Sequence, residues 1–144
     1  MILDSTTKKI QVLLGANVVT SQATVSIDYI EYSSSNTSLG AQLSSTSNTT
    51  AVDILSAPGG STQRKVDLIT VCNKDTDFIN VTVRLNDNAT LYNYVTNLQL
   101  PPSATLQFSD INGWVVIDVS GNIQAISGAV VDIQDYTSSA IWTK

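Results

Sequence analysis

Apolar and polar positions alternate with a period of two over most of this chain. The clearest run is Ile79-Asn80-Val81-Thr82-Val83-Arg84-Leu85-Asn86, apolar at every odd position and polar at every even one. Successive side chains of a strand point to opposite faces, so this run predicts a strand with one dry and one wet face. On a helix the same apolar residues would scatter around the circumference. Residues 9–14, 24–32, 50–55, 90–98, 104–108 and 114–119 carry the same signal, and residues 66–72 are more continuously apolar, as expected of a central strand.

Turn chemistry separates these runs. Asn86-Asp87-Asn88-Ala89 predicts a hairpin tip, because Asn and Asp tolerate positive φ. Pro101-Pro102-Ser103 ends a strand, since proline cannot donate to the ladder. Asp110-Ile111-Asn112-Gly113 and Ser120-Gly121-Asn122 are further turns, and Pro58-Gly59-Gly60-Ser61 divides the two halves of the chain. Short strands at such close intervals predict an all-β fold: an antiparallel β-sandwich of about eight strands. Residues 33–50, rich in Ser, Thr and Asn, are expected as a long surface loop. Residues 1–123 form the expected sandwich domain. Residues 124–144 are a C-terminal extension that either docks on a neighbour or adds an edge strand.

Composition narrows the function classes. Charged residues are 13% of 144, about half the usual share, while apolar residues at 42% are enough for a core. The net charge of −5 is dispersed, and the basic pairs are Lys8-Lys9 and Arg64-Lys65. Nucleic acid and anionic membrane surfaces both call for concentrated basic charge, so neither is an expected partner. No apolar stretch approaches the length of a membrane-spanning helix, and Met1-Ile2-Leu3-Asp4 turns polar too soon for a secretory signal. Cys72 stands alone in an apolar run and is expected as a small buried hydrophobe.

The inventory for catalysis is thin. The chain has no His, which removes the commonest general base, the Ser-His-Asp and Cys-His arrangements and most zinc sites. Asp75 and Asp77, flanking Thr76, are the nearest carboxylate pair, conceivable as calcium ligands or as an acid pair but expected as a solvated loop. Pro58-Gly59-Gly60-Ser61-Thr62 lacks the spacing of a phosphate-binding loop. The Asn-x-Ser/Thr triplets at Asn36, Asn48, Asn80 and Asn88 are expected by chance in such a composition. The expectation is a protein that is not an enzyme and takes no cofactor or metal. Tyr92 and Tyr94 fall on one face under strict alternation, so a sugar-stacking platform competes there with cross-strand packing.

Several strings together carry a resemblance. They are Asn73-Lys74-Asp75, Val81-Thr82-Val83, Asn88-Ala89-Thr90-Leu91-Tyr92, Leu100-Pro101-Pro102-Ser103-Ala104-Thr105-Leu106-Gln107-Phe108 and Asn112-Gly113-Trp114-Val115-Val116-Ile117-Asp118, with Thr6-Thr7-Lys8-Lys9-Ile10-Gln11-Val12 and Ala57-Pro58-Gly59-Gly60-Ser61-Thr62-Gln63-Arg64 in the front half. Over residues 1–123 they resemble small virion structural proteins of tailed bacteriophages. Pro102-Ser103 stands where that pattern has a glycine turn. The resemblance implies jelly-roll-like connections, a place on the virion after synthesis in the host cytoplasm, and the major capsid protein or other virion proteins as partners. It implies a homo-oligomer, by analogy a trimer. Capsid decoration is the first expectation, with a tail or fibre component or a glycan-binding host-recognition module as alternatives. The expected contact groups are apolar residues near the termini: Met1, Ile2 and Leu3 within residues 1–5, and Ile133, Tyr136, Ile141 and Trp142 in the tail.

Overall fold

A computed structural model describes residues 1–124, Ile126 and the strand Val130–Val131. The elements are β1 (Ile2–Leu3), β2 (Lys8–Leu14), β3 (Thr24–Ser33), β4 (Thr37–Ser45), β5 (Val52–Leu55), β6 (Thr62–Cys72), β7 (Ile79–Asp87), β8 (Thr90–Leu100), β9 (Thr105–Ser109), β10 (Gly113–Ile117), β11 (Ile123–Gln124) and β12 (Val130–Val131). No helix occurs among the described residues. Among the described residues nine strands are longer than two residues, one more than expected, because residues 37–45 of the expected surface loop form β4.

Two antiparallel sheets pack face to face. The first has the order β11-β10-β9-β6-β3-β4, with β1 beside the start of β6, and the second has the order β12-β8-β7-β2-β5. The connections nest as ribbons that cross between sheets. The β2–β3 segment is flanked by β4–β5 on one side and by β6–β7 on the other. The β6–β7 segment is in turn flanked by β8–β9. First strand pairs with last in each ribbon, which is the jelly-roll way of wrapping a hairpin around a core.

The alternating residues supply that core. Ile10, Val12 and Leu14 of β2, Val25 and Ile27 of β3, Ile69 and Val71 of β6 and Val81 and Val83 of β7 are all buried. Phe108 and Trp114 meet across β9–β10 with ring centroids 5.2 Å apart, and Tyr94 reaches the same indole at 6.5 Å. Tilted aromatic pairs at such distances add to simple area burial.

Four departures from strict alternation shape the described sheets. In β5, Leu55 faces Ile10 and Asp53 faces Gln11, so Ile54 is an extra residue, buried beside Leu55. In β6, Leu68 faces Asp28 and Val66 faces Tyr29, so Asp67 is the extra residue of a bulge. In β8, Val95 faces Val83 while Asn93 faces Arg84, which makes Tyr94 an extra residue, buried beside Val95. A second irregularity follows at Asn97, with φ 47° and its N–H donating to Thr82 Oγ1 at 3.0 Å.

The turns use positive φ where the sheets need it. Asn88 (φ 48°) and Ala89 (φ 71°) are the central pair of the β7–β8 hairpin, as a type I′ turn requires. At the proline turn Ala104 N–H donates to Pro101 O at 3.1 Å and Ser103 has φ 64°, the type II pattern, with serine in glycine's place. Met1 and Leu3 are core residues, because β1 lies on β6 and Val66 N–H donates to Met1 O. The expectation that they are exposed anchors is therefore corrected; Ile2, opposite Lys65, is half-buried. Val130–Val131 add an edge strand to β8. Ile133, Tyr136, Ile141 and Trp142 lie outside the described residues.

Candidate interaction surface

The two outer faces of the sandwich differ in chemistry. On the second sheet, Gln11 Nε2 donates to Asp53 at 2.6 Å and Lys9 Nζ reaches the same carboxylate at 2.8 Å. Gln11 Oε1 in turn accepts from Arg84 Nε at 3.1 Å and Asn86 Nδ2 at 3.3 Å. Lys9, Gln11, Asp53, Arg84 and Asn86 are thus engaged with one another.

The first sheet is different at its β4 edge. β4 pairs in unbroken register with β3, from Tyr32 opposite Thr37 to Thr24 opposite Ser45. Core residues Val25 and Ile27 face Ser44 and Gln42, so even-numbered residues of β4 point inward and Leu39, Ala41 and Leu43 point out. Leu39 is 85% exposed and Leu43 81%. Ile30, opposite Leu39, and Leu68, opposite Asp28, extend this apolar face. Asp28, Leu39, Ala41, Asp67 and Leu68 are among the residues lining a shallow hollow of about 490 Å³. Lys65 borders it, its ammonium held between Asp110 and Asp67, so its pKa is raised above the usual lysine range. An exposed apolar patch with a charged rim is the ordinary form of a contact surface.

The inner face of β4 explains how a strand so poor in core residues is held. The Tyr29 ring lies over Gly40, where a Cβ would stand 2.4 Å from Cζ. The Arg64 guanidinium sits over the same ring, 5.0 Å from its centroid. Arg64 Nε donates to Glu31 at 2.6 Å, and its Nη1 donates to Ser56 O at 2.8 Å.

The other sequence-level candidates take structural places. Asp75 is buried and staples the 15–23 loop to its own. Its carboxylate accepts from Val19 N–H and Thr20 N–H, both at 2.7 Å, from Thr20 Oγ1 and from Thr76 N–H. Donation from Val19 leads the interactions that hold its pKa well below the usual carboxylate range. Asp77 instead accepts from Phe78 N–H at 2.7 Å. The solvated-loop expectation is thus corrected for Asp75. The pair does not form a metal cluster; among the described residues no group of three or more His, Cys, Asp or Glu could hold a metal ion.

Tyr94 is 1% exposed, so it cannot stack on a sugar, and the Tyr92–Tyr94 platform is corrected as well. The bulge that buries Tyr94 is invisible to a strict period of two. Cys72 is half-buried and unpaired at the end of β6, opposite Thr24 and Thr105, and is not a core residue. Sequence reasoning missed β4 itself. Its signal was present in Leu39-Gly40-Ala41-Gln42-Leu43, an alternation hidden among serines. Comparison of the chain with protein-family models, with curated proteins and with solved structures gives no match.

Proposed function

We propose that this chain is a structural subunit of a virus particle, a decoration protein that binds the outside of a tailed-bacteriophage head. One observation carries the reading: Leu39 and Leu43 stand in water on the outward face of one uncharged strand, whereas other apolar side chains of comparable exposure, such as Ile111 and Val119, lie in turns. Such groups are stabilised by burial against a partner, at about 25 cal/mol per Å² of apolar area. The resemblance of residues 1–123 to small phage virion proteins supplies the kind of partner, the major capsid protein.

The physical role is cementing. A protein that binds the assembled lattice and not free coat subunits stabilises the lattice by mass action, by RT ln(1 + [L]/Kd). The contact face is the outer side of β3, β4 and β6, with Leu39, Leu43 and Leu68 as the apolar anchors.

The test is quantification on purified particles by mass spectrometry, with Leu39→Lys and Leu43→Lys variants in parallel. Copy numbers comparable to the coat subunit, reduced at least about tenfold by either variant, support the reading. A few copies confined to the tail would support a tail component instead, and absence from particles would overturn both.

A further inference from the structure

We propose that β4 is a two-fold pairing edge for a second copy of this chain, joining the two first sheets into one continuous sheet. The pairing uses the in-plane backbone edge of β4 and only the flanks of Leu39 and Leu43, leaving their outward ends on the face described above. The inference therefore adds to the proposed function and stands without it.

β4 presents nine residues along the end of the first sheet, where the strand order stops among the described residues. Natural edge strands are guarded by shortness, charge, proline or bulges. β4 has none of these, for Thr37–Ser45 contains no charged residue and no proline and keeps an unbroken register with β3. The opposite margins are treated differently. β5 is four residues long and carries Asp53, and β11 is two residues long.

The occupant follows from the strand's own symmetry. In antiparallel pairing of two identical strands about a two-fold axis normal to the sheet, outward residues must face outward residues. The axis then lies at a residue. Placed at Ala41, it sets Leu39 opposite the partner's Leu43, Gly40 opposite Gln42, Ser38 opposite Ser44 and Thr37 opposite Ser45. Every residue of β4 is then paired, because Ala41 is the midpoint of Thr37–Ser45. Shifting the axis by one residue either way leaves two residues of each strand unpaired and puts alanine against leucine. Only the Ala41 register sets both leucines of each copy against leucines, as two pairs about 13 Å apart on either side of Ala41.

Charge permits this pairing. The nearest charges are one strand behind in each copy: Asp28 opposite Ala41, and Glu31 opposite Ser38, the latter neutralised by Arg64. Area sets its strength. Nine residues at about 3.3 Å each, over a sheet about 10 Å thick, give a contact of roughly 300 Å² per copy. That is well under the roughly 1,200 Å² total of a standard stable interface. The dimer is therefore weak and concentration-dependent in solution.

The experiment is sedimentation velocity of the full chain across a concentration series, for the wild type, Ala41→Lys, Ala41→Glu and an equimolar mixture of the two variants. Residue 41 is exposed, so each variant keeps the wild-type circular-dichroism spectrum. The wild type is expected to show reversible dimerisation. Each single variant places like charges opposite each other and weakens the dimer at least about tenfold. The mixture restores it as a heterodimer, since residue 41 meets its own counterpart. A wild type that stays monomeric at all concentrations, a trimer, a dimer indifferent to Ala41→Lys, or a mixture that stays monomeric would each overturn the two-fold pairing. None of these results depends on attachment to a particle.

Discussion

Gly40→Ala tests how β4 is held. An added Cβ would lie 2.4 Å from Tyr29 Cζ and 2.7 Å from its Cε2 and Oη. Carbon atoms in good contact sit about 3.5–4.0 Å apart, so the ring must withdraw by about 1 Å or more. Overpacking of this kind costs about 1–3 kcal/mol. The substitution also restricts the unfolded chain, which returns about 0.4–1 kcal/mol. The net expectation is a loss of about 0.5–2 kcal/mol, or about 2–6 °C in melting temperature for a chain of this size. Gly60→Ala is the matched control. Nothing lies within 4 Å of its added Cβ and its φ is not positive, so it is expected to be neutral or slightly stabilising. Urea unfolding of both variants, repeated in a Tyr29→Ala background, reads the effect. The Gly40→Ala penalty should vanish once the ring is gone, as a double-mutant cycle for residues in contact requires. A penalty that persists in that background, or equal stabilities for Gly40→Ala and Gly60→Ala, would refute the placement of Tyr29 on Gly40.

Further outcomes are expected elsewhere in the sandwich. Ala89→Gly should stabilise the protein by about 0.5–1 kcal/mol in thermal melts, because an L-residue at φ 71° carries strain that glycine escapes, offset partly by glycine's greater chain entropy. Arg64→Ala should cost about 1–2 kcal/mol in urea titration through loss of its bonds to Glu31 and Ser56 and of its place over Tyr29. Arg64→Lys should recover only part of that, since an ammonium cannot make the forked contact. Asp75 has a folded pKa below its unfolded one, so its stabilising contribution is complete above about pH 4 and drains away as pH falls toward the folded value. Melting curves between about pH 5 and pH 2 should therefore fall less steeply for Asp75→Asn than for the wild type.

Much of the sandwich was legible because its core strands obey a single rule. Ile79 to Leu85 alternates in the sequence, and the structure buries Ile79, Val81 and Val83. The unread parts are those where something other than alternation decides. β4 buries little, so its hydrophobic pattern points away from the core and reads as loop. Tyr94 enters the core through a bulge, which depends on how β8 pairs with β7 and not on its own residues. Met1 and Leu3 are buried by β6, some sixty positions along the chain, a partner that no local window contains. Asp75 is apolar in neither pattern nor chemistry; it is buried because the backbone of the 15–23 loop arrives to donate to it. The candidate contact surface was illegible for the same reason as β4, since its leucines gain meaning only once their neighbours face inward.

The nested ribbons also govern the order in which the sandwich can form during synthesis. β2 emerges early, yet Lys8 must wait for Asp87 and Leu14 for Val81 before the second sheet acquires its central pairing. The β3–β4 hairpin needs only neighbouring residues and can be complete first, with Leu39 and Leu43 already in water. Folding dominated by such distant pairings belongs to the slow class, taking milliseconds to seconds. A chain halted on the ribosome before Ile79 therefore holds a finished hairpin and an open core.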